Sequence, residues 1–250
     1  MPETVEIIDN NNDQFSEANS SKFVGRVYGY TAIGILITTF VCAILTFLFT
    51  NVFSVLENDL YINIYLGILI GSAVCLFGVS IWANMTAVFK KGKSVVIPFI
   101  IYAILMGILM SSLTMFVPGY IIAITLGITT LTFGSMFMIG HFTKRNLSTL
   151  AIVASGLACG ALMIILFNLI LFWWFPEFFN LTTWLASGII FISMMLFTIV
   201  DVNRVKQIAM SGVNNPNVAL LCAFNLYIDF IYMFIRILRI VIVLFTNSKK

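Results

Sequence analysis

Charge is scarce in this chain. Asp, Glu, Lys and Arg together make up 9% of 250 residues, against about 25% in soluble domains. Histidine occurs once, as His141. The four cysteines, Cys42, Cys75, Cys159 and Cys222, stand singly. With no CxxC pair and no Cys/His cluster, zinc sites and a disulfide framework have no support, and the cysteines read as small apolar packing residues. A Walker loop, a GxSxG elbow, an HExxH pair and an arginine-repeat voltage sensor are all missing. Their absence argues against nucleotide hydrolysis and against serine or zinc proteolysis. No basic face suggests nucleic acid as a partner.

What is present is long apolar runs. Hydrophobic residues reach 61%, more than a water-soluble domain of this length could bury. About 20 helical residues cross the ~30 Å hydrocarbon layer. Seven runs qualify: Val27–Thr50, Tyr61–Phe89, Ser94–Val117, Gly119–Gly140, Leu147–Phe175, Asn180–Val200 and, from about Val218 to Phe245, a seventh. Pro118-Gly119 marks a tight turn between the third and fourth. The runs are apolar on every side, whereas barrel strands alternate every second residue. The expectation is an all-α polytopic membrane protein with seven transmembrane helices in one domain over residues 22–246. Ahead of it, residues 1–21 carry Glu3, Glu6, Asp9, Asp13 and Glu17 and read as a mobile acidic tail, with no signal-peptide pattern. Residues 247–250 form a short basic end.

Loop cations set the orientation. Lys90, Lys91 and Lys93 follow span two, Lys144 and Arg145 follow span four, and Arg204 and Lys206 follow span six. The opposite loops hold Glu57, Asp59 and Glu177. The positive-inside rule places the cations and the amino terminus, with Lys22 and Arg26, in the cytoplasm. A crossing seventh span then leaves Lys249 and Lys250 outside, against the rule, so a re-entrant seventh segment stays open.

Asp229 is the most expensive residue in the chain. It sits in an apolar run, where an ionisable group costs roughly 2.5–3.5 kcal/mol at bilayer depth and by default marks function. Helical spacing aligns Asn225, Asp229, Tyr232 and Arg236 as one polar stripe, expected to face the bundle interior. Arg239 lies off that stripe, placed to reach the interface. The structural alternative is a salt bridge between Asp229 and Arg236. Asp201, at the end of span six, is the second acid in the last two spans. If both project inward, they can share a proton or act as Ca²⁺ ligands, because like charges at close range do not both ionise cheaply and hard cations favour carboxylate oxygen. Asn84 and Asn168 are expected to bond between helices. Gly67/Gly71 and Gly156/Gly160 match GxxxG, a close-packing pattern. His141 reads as an ordinary interfacial histidine.

Asn225-Leu226-Tyr227-Ile228-Asp229-Phe230-Ile231, with Arg239 ten positions on, resembles the carboxy-terminal signature of the Bax inhibitor-like (transmembrane Bax inhibitor motif) family. Thr143-Lys144-Arg145-Asn146-Leu147-Ser148 is similar to its loop after span four, and Tyr102-Ala103-Ile104-Leu105-Met106-Gly107 through Ser111-Ser112 to its third span. Asp201-Val202-Asn203-Arg204-Val205-Lys206 takes the place of its Asp-Thr-Gln-based motif. The resemblance covers residues 20–245. It implies six helices around a central seventh and a pH-sensitive Ca²⁺ leak gated by Asp201 and Asp229, with no resident cofactor and no enzymatic activity. Bacterial relatives carry an arginine on the second helix that latches one aspartate. Tyr61–Phe89 has no charge, so Arg236 is the expected substitute counter-ion. A bacterial cell membrane is the expected setting, with lipid, Ca²⁺ and H⁺ as partners and no protein partner identified. The competing readings are a proton-coupled carrier, an intramembrane aspartyl protease and a non-conducting regulator of other membrane proteins. The protease lacks its Gly-x-Gly-Asp motif, since Leu226-Tyr227-Ile228 precede Asp229.

Overall fold

The computed structural model describes residues 3–51, 58–89, 95–143, 147–174, 176–212 and 215–247. Every element among them is an α-helix: α1 Glu3–Asn51, α2 Asn58–Phe89, α3 Val96–Phe116, α4 Gly119–Phe142, α5 Ser148–Trp174, α6 Pro176–Met210 and α7 Pro216–Asn247. The all-α expectation holds. The membrane expectation is met by six helices, which contain apolar stretches long enough to cross a bilayer: Ser20–Phe49, Leu66–Ala83, Val96–Thr114, Gly119–Phe142, Ser148–Asn168 and Leu181–Met210. The seventh expected span, α7, is not among them. It carries Asp229, Arg236 and Arg239 and is the one strongly amphipathic helix; the other six have no marked polar face, α1 gathering its charge in its amino-terminal half and α6 towards its ends.

Several expectations fall outside the described side chains. They concern the tail acids, Glu57, Asp59, Asn84, Lys90, Lys91, Lys93, Lys144, Arg145, Glu177, Lys249 and Lys250.

The chain divides into two compact units. One holds α1, α2, α3 and α7 up to Tyr227; the other holds α4 from Ala123, α5, α6 up to Gln207 and α7 from Ile228. Lipid tails are as apolar as leucine, so burial inside a bilayer brings little hydrophobic gain, and helices are held by close packing and interhelical hydrogen bonds. Both devices are present. In the first unit, α1 packs on α3. The Thr31 hydroxyl donates to the Ala223 carbonyl at 3.3 Å, and Thr38 bonds the Ala103 carbonyl at 3.0 Å and the Tyr227 hydroxyl at 2.6 Å. Tyr227 is fully buried and meets Phe99 and Tyr102 edge-on. In the second unit, the Ser193 hydroxyl donates to the Ala154 carbonyl at 2.7 Å, and Thr182 donates to Asn168, the interhelical bond expected of that asparagine.

The glycines that permit close approach are not those of the two GxxxG matches. Gly67, Gly71, Gly156 and Gly160 have open space where a Cβ would stand. Sixteen glycines among small and apolar residues make such spacings easy to meet by chance. Close approach occurs at Gly34, against Phe99 and Tyr227, at Gly107, against Thr38 and Val41, and at Gly140, against Ile199 and Val202. Two of the cysteines, Cys75 and Cys159, are likewise exposed rather than packed.

The helix ends are specified locally. Pro118-Gly119 forms the expected turn, with the Ile121 amide bonded to the Pro118 carbonyl at 3.0 Å. After α6, Gly212 adopts φ 74°, the left-handed conformation that ends helices at little cost only with glycine. At the start of α7, the Asn215 side chain accepts from the Asn217 amide at 2.9 Å, and Pro216 opens the helix where its missing N–H is not needed.

Candidate functional site

Asp201 and Asp229 belong to the same unit, and the charge of Asp201 acts directly on Asp229. Their settings differ. Asp201 lies in the last third of α6 with a side chain 19% exposed, and its Oδ1 is 3.5 Å from Nη1 of Arg204, one helical turn on. Asp229 is deeper: its Oδ2 is buried and has no hydrogen-bond partner. Phe230, the next residue, packs edge-on to Phe133 of α4 at 5.4 Å between ring centroids, so an aromatic contact stands beside the acid.

Two expectations about the stripe on α7 are corrected. Arg236 does not neutralise Asp229, since the one ion pair among the described residues is Arg204–Asp201. Seven residues of helix separate the two, about 10 Å along the axis. Nor does the whole stripe face inward, because Tyr232 is 40% exposed. Asn225 and Arg236 are partly buried. Arg239 is exposed, as expected of a residue reaching the interface; its guanidinium lies 5.8 Å from the Trp184 ring centroid and 3.4 Å from Ser187 Oγ.

The backbone that carries Asp201 is anchored by its neighbours. Asn203, 3% exposed, donates through Nδ2 to the carbonyls of Gly140 at 3.2 Å and Thr143 at 3.1 Å. Its Oδ1 accepts from Gln207 Nε2 at 2.7 Å. Lys206 Nζ donates to the His141 carbonyl at 2.8 Å. The last carbonyls of a helix have no intrahelical partner, and α6 supplies partners for two of them in α4, Gly140 and His141, and for Thr143 just past its end. The helices come this close because Gly140 has no Cβ: one built there would stand 2.6 Å from the Ile199 carbonyl.

Sequence reasoning used Arg204 and Lys206 only for orientation and missed both roles. The spacing of Asp201 and Arg204 would have revealed the ion pair; nothing in the sequence announces that Asn203 meets the end of α4. His141 sits with Nδ1 buried and without a hydrogen-bond partner, its ring stacked on Phe137.

As a metal site the pair is sparse. No group of three or more His, Cys, Asp or Glu side chains stands together among the described residues, whereas bound Ca²⁺ takes 6–8 oxygens.

Comparison with known proteins agrees with the architecture. A family model described as Inhibitor of apoptosis-promoting Bax1 matches residues 20–248. The inner membrane protein YbhL of Escherichia coli K12 is 28% identical over 235 residues, covering 89% of this chain and 92% of its own. The Lactococcus lactis protein YrjE is 28% identical over 235 residues, covering 91% and 93%. RP147 of Rickettsia prowazekii is 25% identical over 218 residues, covering 87% and 88%. With six bilayer-length helices and a family match over nearly its whole length, the chain belongs to the Bax inhibitor-like family of multi-pass integral membrane proteins.

Proposed function

We propose that this protein conducts Ca²⁺ passively across a bacterial cell membrane, with a pH response set by Asp201 and Asp229. In this reading α7 is the central helix among the other six, the amino terminus is cytoplasmic, and the protein moves an ion without catalysing a reaction.

The observation that carries the reading is the buried, unpartnered Oδ2 of Asp229 beside the charge of Asp201. A carboxylate in that position needs a positive partner. No side chain among the described residues supplies one within 4.0 Å, which leaves a proton or a mobile cation. Ca²⁺ and H⁺ then compete for the same oxygens, and flux depends on pH. Asp201 is the adjustable member. Its partner Arg204 is 61% exposed, and such pairs contribute about 0–1 kcal/mol, so the arginine can leave when a cation arrives. Arg204 thereby takes the latch role expected of Arg236, from α6 rather than α7. Protonation changes the repulsion between the acids and the pull on Arg204, which biases a two-state equilibrium.

Ca²⁺ release from dye-loaded liposomes, followed from acidic to neutral pH, tests this with Asp201→Asn and Asp229→Asn. Each variant is expected to lose the pH dependence of the flux. Unchanged flux and pH profile in both variants refute the proposal. Proton uptake coupled to an organic substrate, with no Ca²⁺ movement, favours the carrier instead.

A further inference from the structure

Ten residues beyond Asp229 along α7, about 15 Å at 1.5 Å per residue, the chain gathers positive charge with nothing negative among the described residues to meet it. Arg236 and Arg239 are three residues apart, neighbours on the helix surface, and the charge of Arg239 acts on Arg236. Neither has an acidic partner among the described residues. Two guanidiniums on adjacent turns repel each other, and an anion between them removes the repulsion.

The surroundings select the anion. Arg239 is held against α6 by the Trp184 ring at 5.8 Å and by Ser187 Oγ at 3.4 Å. Trp184 and Ser187 lie in the first two turns of the apolar stretch Leu181–Met210. The end of a bilayer-length stretch corresponds to headgroup depth, where tryptophan concentrates and to which arginine snorkels. The exposed surface beside them is apolar: Leu181 61%, Trp184 43%, Leu185 56%, Ile240 38% and Leu244 62%. A ligand here has a negatively charged head between the arginines and a hydrocarbon body along these side chains. The guanidinium fork matches phosphate oxygens with paired N–H donors, and the Ser187 hydroxyl adds a third donor. We propose that Arg236, Arg239, Ser187 and Trp184 form a binding site for the phosphate headgroup of an anionic phospholipid. The site is independent of the aspartate pair and of Ca²⁺ conduction.

Native mass spectrometry of the full chain in detergent tests this by counting retained phosphatidylglycerol, with phosphatidylcholine and inorganic phosphate as comparison ligands. Wild type is expected to retain one phosphatidylglycerol in preference to phosphatidylcholine, undisplaced by inorganic phosphate at matched concentration. Affinity is expected to fall about tenfold in R236Q/R239Q and by an intermediate factor in R239K, which keeps the charge but loses the fork. Equal retention by wild type and R236Q/R239Q overturns the proposal, as does indifference between the two lipids. Displacement by inorganic phosphate overturns the lipid assignment. Should R236Q/R239Q fail to elute as a single folded species, R239K carries the test, and unchanged affinity in R239K overturns the site.

Discussion

Replacing Asn203 with alanine removes three hydrogen bonds at once and tests whether α6 caps the end of α4. The Gly140 carbonyl is the costly loss. It is buried, and an acceptor left unsatisfied in such a place costs about 1–3 kcal/mol. The Thr143 carbonyl and the Gln207 amide are partly or fully exposed; water replaces the lost partner, so each contributes about 0.5 kcal/mol. The expected loss is about 2–4 kcal/mol. Reversible unfolding in mixed detergent and SDS micelles, followed by circular dichroism, measures it. Asn203→Gln is the informative companion. It keeps the amide but adds a methylene where Gly140 holds the helices at closest approach, at a cost of about 1 kcal/mol from overpacking. A loss below about 0.5 kcal/mol for Asn203→Ala refutes the clamp.

The same unfolding assay checks two further expectations. Gly140→Ala places a Cβ 2.6 Å from the Ile199 carbonyl and 2.9 Å from Val202 Cβ; the backbone atom cannot yield, so a loss of about 1–3 kcal/mol is expected. Gly156→Ala meets nothing within 4 Å and gains helix propensity, giving a stabilisation of about 0.5–1 kcal/mol; equal effects at the two positions contradict the assigned packing. Tyr227→Phe loses the bond to Thr38, but Thr38 still donates toward the Gly34 and Ala103 carbonyls. The ring contacts persist, so the expected cost is about 0.5–1.5 kcal/mol, and a loss above about 3 kcal/mol shows that the hydroxyl has a larger role.

Class and helix count were legible because the signal is long and uniform. A run such as Leu147–Phe175 has no other physical explanation than a helix surrounded by lipid or protein. The turn at Pro118-Gly119 followed from backbone stereochemistry alone. Sequence could also single out Asp229 and Asp201, because a carboxylate in an apolar run is conspicuous. It failed where the answer depends on what another helix presents. GxxxG spacing names a small-residue face but not its neighbour, and among the described residues the close approaches fall at Gly34, Gly107 and Gly140 instead. The counter-ion was placed on Arg236 because helical phase aligned it with Asp229, although rise along the helix keeps them apart. Periodicity gives the face of a side chain, not its reach.

That misplacement bears on why Asp229 is in the chain at all. If it served structure through an ion pair, removing its charge would leave a buried guanidinium unpaired and cost about 3–5 kcal/mol. No guanidinium stands within 4.0 Å among the described residues, and the charge that does act on it belongs to another carboxylate, Asp201. Asp229→Asn therefore removes repulsion and no attraction. Its expected stability in the unfolding assay is equal to or above that of wild type. Coupled with loss of the pH-dependent Ca²⁺ flux, that result separates function from folding at a single residue. A destabilisation of 3 kcal/mol or more, as expected for a broken buried pair, would instead return Asp229 to a structural role.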